Sequence, residues 1–336
     1  MQKAFGKIDG LWPYDKETTD LLMGRARRAQ PIEPLYRLAV YFGQERGVWM
    51  SIVDAIEATA RLPADSKARA RVWRDVAIFL NRHDSLSRSD CETKWSLLDK
   101  RSFRCYDGQG RLVTEGNIVD QLTVVIDTDG HTQRNYLYPK DPRRKGKWGD
   151  TVVVDPLRTS ILVNEKVPWR STAVRVGYLC SVRALRGYYQ CLQAMGLLDK
   201  LPEMKVWTAV HQITPDGKLL PLVPATIASL VKKRAGEGGL RVGTSDTPTA
   251  RDVTKPGDHE DILAGHFLRG HAASVAYTLA TQWGAGWDPM LGIDRARHTL
   301  AVFLKSYSRG VAPQLIAAFR EFPGAQRLRF EEASRL

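Results

Sequence analysis

Cysteine is scarce in this chain of 336 residues. The four cysteines are Cys91, Cys105, Cys180 and Cys191. They are too widely spaced for a CxxC zinc motif, and too few for the disulfide framework of a small secreted domain. We therefore expect reduced thiols and a fold that does not depend on covalent cross-links.

Long apolar runs are also absent. The longest are "VAIFL" (76–80) and "LTVVI" (122–126), whereas a membrane-spanning helix needs about 18 apolar residues. The first 20 residues contain neither the apolar core nor the cleavage site of a secretory signal. These absences predict an intracellular protein without a membrane span.

Acidic residues are outnumbered, with 37 Asp and Glu against 50 Lys and Arg, which gives a formal net charge of +13. A basic chain is attracted to polyanions, because each phosphate that it neutralises releases counterions. The charge alone is equally compatible with a protein that binds no acidic partner. The hydrophobic content of 43% with nine tryptophans indicates a folded chain, long enough for one or two hydrophobic cores.

Helical periodicity dominates most of the chain. Apolar residues recur at three- and four-residue steps over 32–82, and again over 180–198 and 224–234. Two or three further helices are predicted after about residue 261. Between 180–198 and 224–234, the runs "VWTAVHQI" and "GKLLPLV" predict a β-hairpin.

Between about residues 103 and 155 the pattern changes to short β-branched or aromatic runs joined by Gly, Asp and Pro turns. These runs are "FRCYDGQGRLV", "QLTVVIDTDG", "RNYLYPK" and "TVVVDP", and they predict a small antiparallel sheet. The predicted fold class is therefore α+β, mostly helical with a small antiparallel β-sheet.

Two clusters of basic residues are predicted to contact DNA. The first lies in the turn "DPRRKGKWGD" between the last two predicted strands, and the second at the end of the N-terminal helical stretch "DLLMGRARRAQ". The residues of the two clusters are Arg143, Arg144, Lys145 and Lys147, and Arg25, Arg27 and Arg28.

The chemically most informative stretch is "HFLR", in which His266 and Arg269 stand one helical turn apart. A histidine beside an arginine is electrostatically awkward unless an anion such as phosphate lies between them. Farther along, the amphipathic stretch "RHTLAVFLKSYSR" (297–309) holds His298 nine residues before Tyr307. Alone, the H-x-x-R pair is more often an accident of surface composition, and the later stretch passes for an ordinary core helix.

Taken in order, His266, Arg269, His298 and Tyr307 resemble the C-terminal signature of the tyrosine recombinases: H-x-x-R, then His or Trp, then Tyr. The predicted sheet, followed by "LCSVRALRGYY", is similar to the family's sheet and following helix, especially in retroelement-borne (DIRS-like) recombinases. The resemblance implies the catalytic domain of that family and strand cleavage through a 3′-phosphotyrosyl intermediate.

The resemblance extends to two more residues. A lysine in the family's β-hairpin is catalytic, which implies Lys140, with Lys145 and Lys147 as substitutes. The family's first catalytic arginine corresponds to "DSLSRSDCETKW" (84–95), where Ser87 occupies the expected place. Three possibilities follow for the first arginine: Arg88 takes its role from a position one residue later, Arg82 takes it from the preceding helical turn, or the enzyme is impaired. Arg88 is the favoured assignment.

The implied chemistry assigns one role to each residue. Tyr307 would attack the phosphorus, and the forked donors of Arg88 and Arg269 would stabilise the charge on the non-bridging oxygens. Lys140 would protonate the departing 5′-oxygen.

The two histidines complete the implied site. His266 resembles the residue that manages the tyrosine proton, and His298 would hydrogen-bond the scissile phosphate. We expect neither a cofactor nor a metal, since no H-E-x-x-H pattern and no acidic cluster typical of a two-metal nuclease occurs.

The resemblance also implies a domain organisation. Residues 1–30 are similar to a remnant of the core-binding domain and linker, 31–310 to the catalytic domain, and 311–336 to a C-terminal tail helix. The implied partners are double-stranded DNA and three further copies of the chain, in a tetramer assembled by tail exchange. The expected location is intracellular and DNA-associated, in the nucleus if the host is eukaryotic.

Two alternatives stay open. The first is a DNA-binding protein on the same fold that has lost catalysis, which Ser87 in the arginine position favours. The second is a type IB topoisomerase-like or telomere-resolving enzyme, which shares the chemistry without exchanging partners.

Overall fold

Helices and short strands alternate along the part of the chain that the computed structural model describes. That part comprises residues 48–85, 87, 89–93, 102–137, 148–154, 180–202, 206–238, 241–242, 262–263 and 268. Its α-helices are α1 (Val48–Thr59), α2 (Lys67–Ser85), α3 (Ser89–Glu92), α4 (Ile118–Asp127), α5 (Ser181–Ala194) and α6 (Pro224–Glu237). Its strands are β1 (Phe103–Tyr106), β2 (Leu112–Val113), β3 (His131–Leu137), β4 (Trp148–Val154), β5 (Thr208–Ile213), β6 (Leu219–Pro221), β7 (Arg241–Val242) and β8 (Ile262–Leu263).

Helix α2 lies at the centre of the core. Every residue of its second half, from Arg74 to Ser85, is buried, whereas Ala70 is the only buried residue of the part before it. Contacts with α1, α5, α6 and β5 cover it. A helix buried on all sides carries apolar residues around its whole circumference, which explains the run "VAIFL" at 76–80.

The larger sheet has four antiparallel strands in the order β2-β1-β3-β4. β1 pairs with β3 through Phe103 opposite Arg134, and β3 pairs with β4 through Thr132 opposite Val154. Along β3 buried and half-buried residues alternate, as expected of a sheet covered on one face. The sequence prediction is confirmed for β1 and β2, for β3 and for β4.

The predicted strand in "QLTVVIDTDG" is wrong, because this segment forms helix α4. Asn117 caps the helix: its Oδ1 accepts from the backbone N–H of Val119 at 2.8 Å and of Asp120 at 3.3 Å. Asp120 completes a capping box by accepting from the Asn117 N–H at 2.9 Å. The buried residues Val119, Leu122, Val125 and Ile126 recur at helical spacing, so one face of α4 packs against the core.

The second predicted hairpin is confirmed. β5 and β6 pair antiparallel, with Thr208 opposite Pro221. Helices α5 and α6, predicted over 180–198 and 224–234, flank this hairpin in the chain. The hydroxyl groups of Tyr188 on α5 and Thr208 on β5 are hydrogen-bonded at 2.8 Å in the buried interior, which joins the hairpin to the helical layer.

The described part of the chain is thus a mixed structure of helices with a small antiparallel sheet, which agrees with the α+β prediction. All four cysteines lie in this part, and they are buried thiols rather than disulfides. Among the described helices, none has the length and the apolar character that crossing a bilayer requires.

Helices α2 and α5 approach closely at Gly187. A Cβ atom added there would lie 2.6 Å from Cδ2 and Cε3 of the Trp73 ring. Gly236, on the exposed side of α6, offers a contrast, because a Cβ at that position has no neighbouring atom within 4 Å. Alanine substitutions at Gly187 and Gly236 therefore distinguish the effect of packing on stability from the effect of helix propensity.

We predict that Gly187→Ala lowers the free energy of unfolding by about 1–3 kcal/mol, because an indole ring must move to admit the methyl group. Gly236→Ala should instead raise it by up to about 1 kcal/mol, since alanine is the better helix former. Urea unfolding followed by circular dichroism measures both. Equal effects of the two substitutions would contradict the tight approach of α2 and α5.

Candidate functional site

The structure does not test the predicted catalytic and DNA-binding residues directly, because all of them lie outside the described residues. The catalytic predictions concerned are Arg88, Lys140, His266, Arg269, His298 and Tyr307. The DNA-binding predictions concerned are Arg25, Arg27, Arg28, Arg143, Arg144, Lys145 and Lys147. Several of their chain neighbours are described, and these neighbours form a buried polar cluster.

Ser87, the immediate neighbour of Arg88, faces the interior. Only 6% of its surface is exposed, and its hydroxyl donates to Glu92 Oε1 at 2.7 Å. Its backbone N–H donates to Ser85 Oγ at 3.3 Å. A carboxyl group of α3 therefore holds the Ser87 side chain inward.

Glu92 is the centre of this arrangement. It is fully buried, and its Oε1 accepts from Asn81 Nδ2 at 3.1 Å as well as from Ser87. The other oxygen, Oε2, lies 3.8 Å from Arg82 Nε, which is an ion-pair distance but too long for a hydrogen bond. The carboxyl group thus connects the end of α2 to the residues that follow it.

Strand β3 supplies the other half of the cluster. Arg134, fully buried, donates from Nη1 to Asn81 Oδ1 and from Nη2 to Ser181 Oγ at 3.5 Å. Tyr136 donates its hydroxyl to the same Asn81 oxygen at 3.4 Å. We call this set the Glu92 cluster; its residues are Asn81, Arg82, Ser87, Glu92, Arg134 and Tyr136.

The charges of the Glu92 cluster are unequal, with two guanidinium groups facing one carboxyl group. Burial raises the pKa of Glu92 to about 7, although Arg82 and the donors Ser87 and Asn81 act in the opposite direction. Burial also raises the pKa of the Tyr136 hydroxyl, which keeps it neutral. Arg82 Nε and Nη1 are buried without a hydrogen-bond partner, so this guanidinium depends on its ion pair with Glu92.

A second feature near the predicted catalytic residues is the β3–β4 hairpin. Leu137 pairs with Trp148, and the ten residues between them connect the two strands. This connection contains Lys140 and the whole basic cluster of Arg143 to Lys147. The sequence prediction placed "DPRRKGKWGD" between the last two strands, and the observed β4 includes the last three residues of that stretch because it begins at Trp148.

Sequence reasoning missed Glu92, Asn81 and Arg134. Their partners are up to 55 residues away, as for Asn81 and Tyr136, and local spacing does not show such pairs. The available signal was the polar run "NRHDS" (81–85), which directly follows the apolar run of α2. Polar side chains that end a fully buried helix need buried partners.

Metal ligation is not evident in the described residues, where no group of three or more His, Cys, Asp or Glu side chains could hold an ion. Comparison of the chain with protein-family models, curated proteins and solved structures found no match. The functional argument therefore depends on the residues and their chemistry.

We predict that Glu92 makes the folded state less stable as the pH rises. Its pKa is higher in the folded chain, so the folded state retains a proton that the unfolded state releases between about pH 4.5 and 7. The stability that this proton contributes is fully present below the pKa of Glu92 in the unfolded chain, 4.5, and is lost as the pH rises through its pKa in the folded chain, about 7. The wild-type chain should therefore lose on the order of 1–3 kcal/mol of unfolding free energy relative to Glu92→Gln over this range.

Urea unfolding at several pH values between 4.5 and 8 measures this difference. Glu237→Gln is the control, since Glu237 also pairs with an arginine, Arg234, but is partly exposed on α6. Parallel stability curves for wild type and Glu92→Gln would contradict the altered ionisation of Glu92.

Proposed function

We propose that this chain is a site-specific DNA recombinase that cleaves and rejoins DNA strands through a covalent 3′-phosphotyrosyl intermediate at Tyr307. The observation that carries the proposal is the order and spacing of His266, Arg269, His298 and Tyr307 in the sequence. Each residue type matches one requirement of phosphodiester cleavage, and together they resemble the signature of the tyrosine recombinases.

Two structural features support the proposal. The buried helix α2 is followed by Ser87, Arg88 and the short helix α3, ahead of an antiparallel sheet. In that sheet Lys140 belongs to the connection of a β-hairpin, the kind of element that carries the family's catalytic lysine. The net charge of +13 is consistent with DNA as the partner.

In the proposed reaction the phenolic oxygen of Tyr307 attacks the phosphorus, with His266 receiving the phenolic proton. The bond between phosphorus and the 5′-oxygen breaks, and Lys140 donates a proton to that oxygen. Arg88, Arg269 and His298 stabilise the non-bridging oxygens. Religation is the reverse: a 5′-hydroxyl attacks the phosphotyrosine and releases Tyr307, so no external energy source is needed.

Of the two candidates for the first arginine, the described geometry favours Arg88. Arg82 is only 4% exposed, and it is paired with Glu92 in the interior. For Arg82 to bind a DNA phosphate, the Glu92 cluster would have to open and leave a carboxyl group buried without its counterion, which is unfavourable.

The proposal includes a partner and an assembly. The DNA contacts assigned to Arg143, Arg144, Lys145 and Lys147 would position the phosphate backbone near Lys140. The segment 311–336 would dock on a neighbouring copy, so that four copies act together on two duplexes. DNA association also gives the proposed location, inside the cell and on the chromosome.

A second candidate is a DNA-binding protein that no longer cleaves. The specific observation that favours it is Ser87, which occupies the place of the family's first arginine and turns toward Glu92 rather than outward. If Arg88 does not take over phosphate binding, the basic surface would remain and the reaction would be lost.

We predict that the wild-type chain forms a covalent adduct with a nicked suicide DNA substrate and that Tyr307→Phe forms none, because phenylalanine has no nucleophilic oxygen. Denaturing electrophoresis of labelled DNA measures the adduct. Tyr106→Phe is the control, since that tyrosine stacks on His131 in the sheet. DNA binding without any wild-type adduct would favour the binding-only candidate, and adducts in Tyr307→Phe would place the nucleophile elsewhere.

We predict that Lys140→Ala slows adduct formation by roughly 10²- to 10⁴-fold, the usual contribution of a general acid. A substrate with sulfur in place of the bridging 5′-oxygen should restore the rate, because a thiolate leaves without a proton. The matched controls are Lys145→Ala and Lys147→Ala, which should weaken DNA binding and leave the ratio of the two substrates unchanged. Rescue in one of these variants instead would reassign the general acid to that lysine.

A further inference from the structure

In the sequence, Arg88 stands between Ser87, whose hydroxyl is bonded to Glu92, and the first residue of the helix that contains Glu92. On one side, the Ser87 hydroxyl donates to Glu92 Oε1 at 2.7 Å; on the other, Ser89 begins α3, the helix that contains Glu92. The side chain of Glu92 therefore closes a short ring from residue 87 to residue 92. Ser87, the residue before the proposed phosphate-binding arginine, is thus restrained by this carboxyl group.

The same carboxyl group fixes this ring to the rest of the molecule. Asn81 Nδ2 donates to it at 3.1 Å, and Arg82 Nε lies 3.8 Å from it, so the ring is joined to the buried end of α2. Both contacts are inaccessible to water, where hydrogen bonds and ion pairs are stronger than at the surface.

Asn81 extends the connection to β3. Its Oδ1 accepts from Arg134 Nη1 and from the Tyr136 hydroxyl, and β3 ends three residues before Lys140. The Asn81 amide is therefore bonded both to Glu92, which holds Ser87, and to β3, the strand that precedes Lys140. Loss of Glu92 would free the Ser87 hydroxyl. It would also remove one of the hydrogen bonds that orient the Asn81 amide toward β3.

We infer that Glu92 is a positioning residue that acts on Arg88 through Ser87, and that its carboxylate, held by Asn81 and Arg82, sets the rate of DNA cleavage. This inference rests on the proposed recombinase function and on Arg88 as the first arginine. Glu92 is fully buried, so it acts through Ser87 and not by touching DNA.

The charge of Glu92 matters to this role. The groups that face the carboxyl are Arg82 and Asn81 from α2, Ser87 from the residues after α2, and Arg134 with Tyr136 from β3. Only the ionised form neutralises Arg82, whereas Oε1 can accept from Ser87 and Asn81 in either protonation state. Because burial raises the pKa of Glu92 to about 7, the ion pair with Arg82 is complete only above neutral pH.

The test compares single-turnover adduct formation on the suicide substrate in wild type, Glu92→Gln, Glu92→Asp and Ser87→Ala, between pH 5.5 and 8.5. At saturating DNA and pH 8 we expect Glu92→Gln to be slower by roughly tenfold to a hundredfold, with little change in the affinity for DNA. Glu92→Asp, which keeps the charge, should recover part of the rate. The rise in wild-type rate through pH 7 should be absent in Glu92→Gln.

Ser87→Ala removes the hydroxyl donor and leaves the carboxyl group and its other partners in place. It therefore tests the contact between Ser87 and Glu92 even if Glu92→Gln fails to fold. We expect it to slow adduct formation as well, and the effect of the double variant to be smaller than the product of the single effects. Glu237→Gln controls for the loss of a Glu–Arg pair elsewhere and should retain the wild-type rate.

Two outcomes overturn different statements. If wild type forms adducts and both Ser87→Ala and Glu92→Gln keep its rate and pH profile, Glu92 has no positioning role and the proposed function stands. If wild type forms no adduct, the proposed function fails, and the inference fails with it.

Discussion

The side-chain amide of Asn81 connects Glu92 on α3 to Arg134 and Tyr136 on β3. Its NH₂ group donates to Glu92, and its oxygen accepts from Arg134 and Tyr136, all in the interior. An amide is the only side chain of this size that donates at one end and accepts at the other. A carboxylate at this position would repel Glu92, and an apolar side chain would leave a buried guanidinium with fewer acceptors. The contact between α2, α3 and β3 depends on this arrangement.

Much of the fold was predictable, because the local signals agree with the observed elements. The helices over 48–85, 181–194 and 224–237 follow three- and four-residue apolar spacing, and the hairpins are bounded by turn residues. At Gly110 the backbone φ is +75°, which explains why glycine stands in the β1–β2 turn.

Helix α4 was not predicted, because its composition is typical of a strand. Thr123, Val124, Val125 and Ile126 are β-branched and follow one another, and their preference for strands was overridden by the capping box and by the packing of one helical face. The decisive signal was present in the sequence as Asn117 followed three residues later by Asp120. A cap at the start of a segment can thus outweigh the β-propensity of the residues after it.

The reactive residues of the proposed site stay predictions from the sequence, and the buried residues around Ser87 were not predicted. His266, Arg269 and Tyr307 were singled out because their residue types are chemically distinctive and stand in a recognisable order. Glu92 and Arg134 are ordinary charged residues whose meaning appears only when the fold brings them to Asn81. Helix α3, which carries Glu92, has only four residues and shows no periodicity, whereas Arg134 occupies a buried position in the alternating pattern of β3.

The reactivity of the buried cysteines can report on local unfolding of the chain. Burial raises the pKa of Cys105, on β1, and of Cys180, at the start of α5, to about 12. Alkylating reagents react with thiolates, so at neutral pH these two sulfur atoms are protected both by the lack of access and by the retained proton. Any labelling of them therefore measures how often the sheet and the helical layer separate, without a probe having to be introduced.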